Sequence, residues 1–113
     1  QGFVELVESG ELAGHKAESI VMESLEPLLD AGADTIVLGC THYPFLSETI
    51  SKVASMLVPE RPVTIIDPAP AVAKHLVEVM NEEGISSADA NGYTLELLAS
   101  GDPTTLEKIA TAL

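Results

Sequence analysis

The sequence contains a single cysteine, no tryptophan, an aromatic content of 4% and only five lysines and arginines in 113 residues. One cysteine excludes an intrachain disulfide. The absence of disulfides is usual for proteins in a reducing cytoplasm. No stretch approaches the roughly 20 consecutive apolar residues that a membrane-spanning helix needs, and no signal-peptide pattern opens the chain. These absences predict a soluble cytoplasmic protein with an aliphatic core and no membrane partner.

Positive charge is also scarce. The five lysines and arginines are outnumbered by 18 carboxylates, which gives a formal net charge of −13. Such a chain repels phosphate backbones, so we expect no nucleic-acid partner. His15 and His75 have no partner at metal-ligand spacing, and the glycines do not form a phosphate-binding loop. The sequence therefore predicts neither a metal site nor a nucleotide cofactor.

Short β-branched runs alternate along the chain with amphipathic stretches that have helical spacing. The pattern predicts strands at 3–7, 35–38, 63–66 and 93–98, and helices at about 15–31, 44–57, 68–83 and 103–113. Pro27 is expected to kink or divide the first helix. Strands that alternate with helices indicate right-handed crossovers, so the predicted fold class is α/β, with a parallel sheet in a three-layer αβα sandwich.

The most informative stretch is 35–46, where an apolar run is followed by Gly39 and then by the cysteine. Pro44 suits the first turn of a helix, so Cys40 falls between a strand and a helix N-terminus, where anions and thiolates are favoured. A buried apolar role is the common alternative for a lone cysteine. The polar neighbours Thr41 and His42 favour a functional site instead, because a cationic imidazole stabilises a thiolate.

Residues 39–46, Gly-Cys-Thr-His-Tyr-Pro-Phe-Leu, closely resemble the second catalytic-cysteine motif of glutamate racemase, in the cofactor-independent aspartate/glutamate racemase superfamily. Residues 3–10 are similar to the family segment in which Leu-Val-Glu precedes a glycine. Ile66-Asp67 with the Ala-Val-Ala at 71–73 resembles a family strand end and helix, and 100–102 resembles the closing Thr/Ser-Gly-Asp. The resemblance therefore extends over the whole chain.

The resemblance implies an isomerase that interconverts L- and D-glutamate without a cofactor and supplies D-glutamate for peptidoglycan, and so for cell-wall biogenesis and cell shape. Cys40 would be one of two acid/base thiols that work on opposite faces of the α-carbon. His42 would orient the cysteine and the substrate, and Glu8 matches the family glutamate that supports this histidine. Thr41 would offer its hydroxyl and N–H to a substrate carboxylate, which the negative net charge would otherwise repel.

Two features of the family are missing from the sequence: a first catalytic cysteine in an Asn-Thr-Ala/Ser context, and an Asp-Ser pair. The resemblance therefore predicts the C-terminal part of a two-lobe enzyme, incomplete as a sandwich and inactive alone. Residues 1–62 would belong to the second lobe, and 63–113 would pack back on the first. Uncovered sheet edges and apolar surface would then favour self-association, for example as a homodimer.

Other functions stay open at this stage. The chain is compatible with a catalytically inactive lobe that self-associates or binds glutamate weakly, and with an aspartate racemase. A cysteine hydrolase that uses Cys40 and His42 is a weaker alternative. Residues two apart on a turn seldom hold a nucleophile and its base in hydrogen-bonding geometry, and no orienting Asn or Asp is evident.

Overall fold

The computed structural model describes residues 2–85 and 96–111. It divides into two units, residues 1–70 and 71–113. The elements follow the order α1 (Phe3–Ser9), α2 (His15–Asp30), β1 (Thr35–Val37), a 3-10 helix (Tyr43–Leu46), α3 (Ser47–Leu57), β2 (Thr64–Ile66), α4 (Ala69–Glu82) and α5 (Thr104–Thr111).

The two strands pair in parallel, with Ile36 opposite Ile65 and Val37 opposite Ile66. A parallel pair needs a crossover connection, and α3 provides it. Ile36 and Ile65 pack against the core, whereas the side chains of Val37 and Ile66 are 60% and 43% exposed. The α/β class with a parallel sheet is thus confirmed. Within the described part of the first unit, the face of the sheet that carries Val37 and Ile66 is exposed.

The predicted strand at 3–7 is wrong, because this segment forms helix α1. Its apolar residues Phe3, Leu6 and Val7 also fit helical spacing, and the last two are buried. Gly10 then ends the helix with a φ of 75°, a left-handed conformation that glycine adopts without steric cost. A short apolar run is ambiguous between strand and helix, and here the packing of one face decided the outcome.

The other predicted elements are largely confirmed. The helix predicted from Pro44 consists of the 3-10 helix followed by α3, and α2 continues through Pro27 without being divided. The predicted strand at 93–98 lies partly outside the described residues, and residues 96–98 have no regular secondary structure.

The core of the first unit is aliphatic and lies mainly between α2 and α3. Its largest fully buried side chains are Leu6, Val21, Leu46, Ile50 and Val53. This core holds the end of β1 and the start of α3 in place, and with them the residues that connect the two.

Arg61 closes the end of α2 from the loop before β2. Its Nη1 and Nη2 groups donate hydrogen bonds of 2.6 Å each, to the carbonyl oxygens of Ala33 and Leu29. The carbonyls at a helix C-terminus lack helical partners and carry partial negative charge, so a guanidinium is a favourable ligand there.

Lys52 on α3 donates a 2.6 Å hydrogen bond to Glu18 on α2 and thereby lowers the pKa of that carboxyl. The stabilisation that this shift gives is present above the ordinary pKa of a glutamate, and it is lost as the pH falls through the lowered value. We expect Lys52→Met to return the Glu18 pKa toward its ordinary value, as followed by NMR titration of the carboxyl carbon. Lys74→Met, which removes a lysine from α4, should leave it unchanged.

In the second unit, residues 71–82 of α4 and all of α5 are described, and neither helix has a fully buried residue. Asp102 caps α5, since its Oδ1 accepts hydrogen bonds from the N–H and hydroxyl of Thr104, which lower the Asp102 pKa. Apolar side chains on α4, among them Val72, Leu76 and Val77, are more than half exposed. None of the helices within the described ranges is long and apolar enough to cross a membrane.

Candidate functional site

The cysteine lies where the sequence predicted, between the end of β1 and the 3-10 helix. Leu38 extends the strand ladder, since its N–H donates to the Ile66 carbonyl at 2.9 Å, and its side chain is buried. The chain then turns at once, because the Tyr43 N–H donates to the Cys40 carbonyl at 3.2 Å. This turn fixes the cysteine at the carboxyl end of a parallel strand, the edge where ligands bind in α/β proteins.

The Cys40 thiol and the His42 imidazole are neighbours on this turn. Cys40 Sγ lies 3.9 Å from His42 Nδ1, and Thr41 Oγ1 lies 3.4 Å from the same nitrogen. The thiol is free and partly buried, and the Thr41 side chain is exposed. Two proton-carrying groups therefore meet one ring nitrogen, at the outer limit of hydrogen-bonding distance.

Glu8 approaches the histidine from its other side. Its Oε1 lies 3.8 Å from His42 Nε2, and the two side chains are 58% and 34% exposed. An ion pair this exposed contributes little to stability, so its main effect is on the orientation of the ring. Cys40, Thr41, His42 and Glu8 together are called the Cys40 cluster below.

Helix α1, which carries Glu8, is held across the turn by an aromatic contact. The rings of Phe3 and Tyr43 meet edge to face, with centroids 5.1 Å apart and planes at 66°. Such contacts favour one relative orientation of the two rings. Because Phe3 and Glu8 lie on the same helix, the contact with Tyr43 also helps to hold Glu8 near the histidine.

One polar residue of α3 was not singled out from the sequence. Thr49 on α3 donates a 2.7 Å hydrogen bond to the Leu12 carbonyl and is only 6% exposed. A signal was present in the sequence, because Thr49 follows Leu46 by three residues and precedes Val53 by four. That spacing places a polar residue on the apolar face of the helix, where it needs a hydrogen-bond partner.

Each member of the Cys40 cluster is at least partly exposed. A groove of the first unit, with an open volume of about 590 Å³, runs along α3 and reaches Ile65 and Asp67, and no member of the Cys40 cluster lines it. No group of three or more His, Cys, Asp or Glu side chains in residues 2–85 and 96–111 is placed to hold a metal ion. The cluster therefore offers a thiol, an imidazole, a hydroxyl and a carboxylate that solvent reaches.

This arrangement can transfer a proton. A thiol can carry a proton, and a cationic imidazole beside a thiol stabilises the thiolate. A thiolate at this position would face a bound molecule from one side only, because every member of the cluster comes from the same turn or from α1.

Residues 2–76 match the Asp/Glu/Hydantoin racemase family. Over 112 residues the chain is 41% identical to the glutamate racemase of Herpetosiphon aurantiacus and 38% identical to that of Ralstonia pickettii. Each match covers 99% of this chain, but only 42% and 38% of the respective relative. The chain thus spans less than half the length of these relatives.

The fold is similar to that of the glutamate racemase from Francisella tularensis in a crystal structure of its complex with D-glutamate. The TM-score is 0.68 at 31% sequence identity, over 80% of this chain and 32% of that one. The family match covers most of the chain, and the fold agrees with it. The chain belongs to the Asp/Glu/Hydantoin racemase family.

Proposed function

We propose that the chain is the C-terminal part of a glutamate racemase and that Cys40 is one of the two thiols that exchange the α-proton of glutamate. One observation carries the proposal: the Cys40 thiol lies 3.9 Å from His42 at the carboxyl end of a parallel strand. The similarity to glutamate racemases over nearly the whole chain supports glutamate as the substrate rather than aspartate.

In this mechanism the Cys40 thiolate removes the α-proton from one face of one enantiomer, and a second group returns a proton to the opposite face. In the reverse direction Cys40 acts as the acid. His42 stabilises the thiolate, and Glu8, 3.8 Å from its Nε2, supports the charged ring. The second thiol must come from outside these residues, because Cys40 is the only cysteine in the sequence.

Substrate binding requires hydrogen-bond donors close to the substrate, because glutamate is an anion and the chain, with a formal charge of −13, repels it. The exposed Thr41 hydroxyl and the N–H groups of the turn are the donors proposed to hold a substrate carboxylate. The chemistry uses side chains only and needs no cofactor. In a cell the enzyme would supply D-glutamate for peptidoglycan from the cytoplasm.

The proposed organisation assigns residues 1–62 to the second racemase lobe and 63–113 to a segment that packs on the first. The remainder of a racemase would cover the open sheet face at Val37 and Ile66. The exposure of these two side chains also favours the second candidate, an inactive lobe that forms homodimers. Sedimentation would separate the two: Val37→Thr with Ile66→Thr should abolish a dimer that forms through this face.

A chimera tests the proposed function. The 112 matched residues of the Herpetosiphon enzyme would be replaced by this chain, and the parent enzyme and the isolated chain would serve as controls. We expect the chimera to racemise L- and D-glutamate, and the isolated chain to do neither. A folded chimera that is inactive beside an active parent would contradict the proposal. Racemisation of aspartate alone, or acylation of Cys40 by a simple ester, would identify the alternative enzymes.

A further inference from the structure

Thr49 is buried among apolar neighbours, yet it lies on the helix that follows the Cys40 turn. It is the one buried polar side chain within residues 2–85 and 96–111, at 6% exposed. A valine would fill nearly the same space without a hydroxyl to satisfy. The distinctive contribution of threonine at this position is therefore the 2.7 Å hydrogen bond to the Leu12 carbonyl.

That hydrogen bond joins two segments that each lead away from the Cys40 cluster. Leu12 lies in the loop that follows α1, the helix of Glu8, and Thr49 lies in the first turn of α3, which follows the turn of His42. At the other end of α1, Phe3 contacts Tyr43. Helix α1 is thus attached at Phe3, and the loop that follows it at Leu12, to residues 43–49 directly after the histidine.

We propose that Thr49 is a positioning residue: by holding the Leu12 carbonyl it fixes the end of α1 and keeps Glu8 at His42 Nε2. The 3.8 Å contact between Glu8 and His42 is exposed and weak by itself, so it depends on how α1 is held. Without the Thr49 hydroxyl, the Leu12 carbonyl loses its partner and the end of α1 is free to shift. The catalytic meaning of this contact rests on the proposed function, but its geometry does not.

NMR of the His42 ring in the isolated chain tests the geometry without any racemase activity. We expect Glu8→Gln to shift the His42 ring resonances, and Thr49→Val to shift them in the same direction. The double variant should match Glu8→Gln alone, because Thr49 acts through Glu8. Thr49→Ser, which keeps the hydroxyl, should restore the original positions. Thr64→Val, the same change at an exposed site on β2, should have no effect.

Two results would overturn the proposal. One is a folded Thr49→Val chain whose His42 resonances stay in place while Glu8→Gln moves them, and the other is a pair of shifts that simply add. If Thr49→Val does not fold, Thr49→Ser and Phe3→Leu decide the matter. Phe3→Leu, which loosens the other end of α1, must then reproduce the Glu8→Gln shift, and Thr49→Ser must not. Inactivity of the chimera would leave these ring shifts unchanged, so the two proposals fail separately.

Discussion

Replacement of Cys40 by alanine in the chimera is expected to slow glutamate racemisation by about 10²- to 10⁴-fold, the range of a positioned acid/base group. The loss should be similar from L- and from D-glutamate, because each direction needs a proton carrier on both faces. KM should change little, since the proposed carboxylate donors are Thr41 and the turn N–H groups. Circular dichroism of the glutamate solution would follow both rates.

The matched control for this variant is Ser55→Ala, which removes one exposed side-chain heteroatom from α3, away from the Cys40 cluster. It should leave both rates at the level of the unsubstituted chimera. A Cys40→Ala chimera that kept more than about a tenth of that rate would exclude the cysteine as a proton carrier, because the loss would fall below the range for such groups.

The largest expected effect on stability comes from Leu46→Ala. Leu46 ends the 3-10 helix after the Cys40 turn and has 0% exposure. Truncation of a buried leucine removes apolar contacts and leaves a cavity, at a cost of about 2–5 kcal/mol in the free energy of unfolding. Domains of this size have only about 5–15 kcal/mol in total, so the loss is a large share.

Urea unfolding of the isolated chain would measure this loss, with Leu28→Ala as the matched control. Leu28 on α2 is 49% exposed, and the same truncation there should cost less than about 1 kcal/mol. Equal losses for the two variants would contradict the packing described for the first unit. A loss of stability in Leu46→Ala without a loss in Leu28→Ala would show that the last residue of the motif anchors the turn in the core.

The sequence predicted the central part of the first unit because the signals there are local and agree with one another. The β1-to-α3 junction follows from the apolar strand that ends before Gly39, from Pro44 at the start of a helix, and from the apolar spacing along α3. None of these signals requires knowledge of tertiary contacts. The residues at 3–7 carry no such agreement. Their apolar pattern fits either element, and only burial of Leu6 and Val7 in the assembled core selects the helix.

The candidate site was predictable to a similar degree. Cys40, Thr41 and His42 are consecutive, so their proximity follows from the turn itself. Glu8 was assigned only through the family resemblance, because nothing local to α1 indicates that it reaches the histidine. Thr49 was missed although a local signal was present. A polar side chain on an apolar helix face indicates a hydrogen bond, but the sequence does not indicate that the partner is the Leu12 carbonyl.

The role of Cys40 on one face of the substrate is best tested by exchange of the α-proton in D₂O, measured separately for each enantiomer in the Cys40→Ala chimera. The second thiol should still remove the proton from one enantiomer and return deuterium to the same face. We therefore predict exchange without inversion for one enantiomer and none for the other. Equal exchange of L- and D-glutamate in this variant would contradict the assignment of Cys40 as the base for one face.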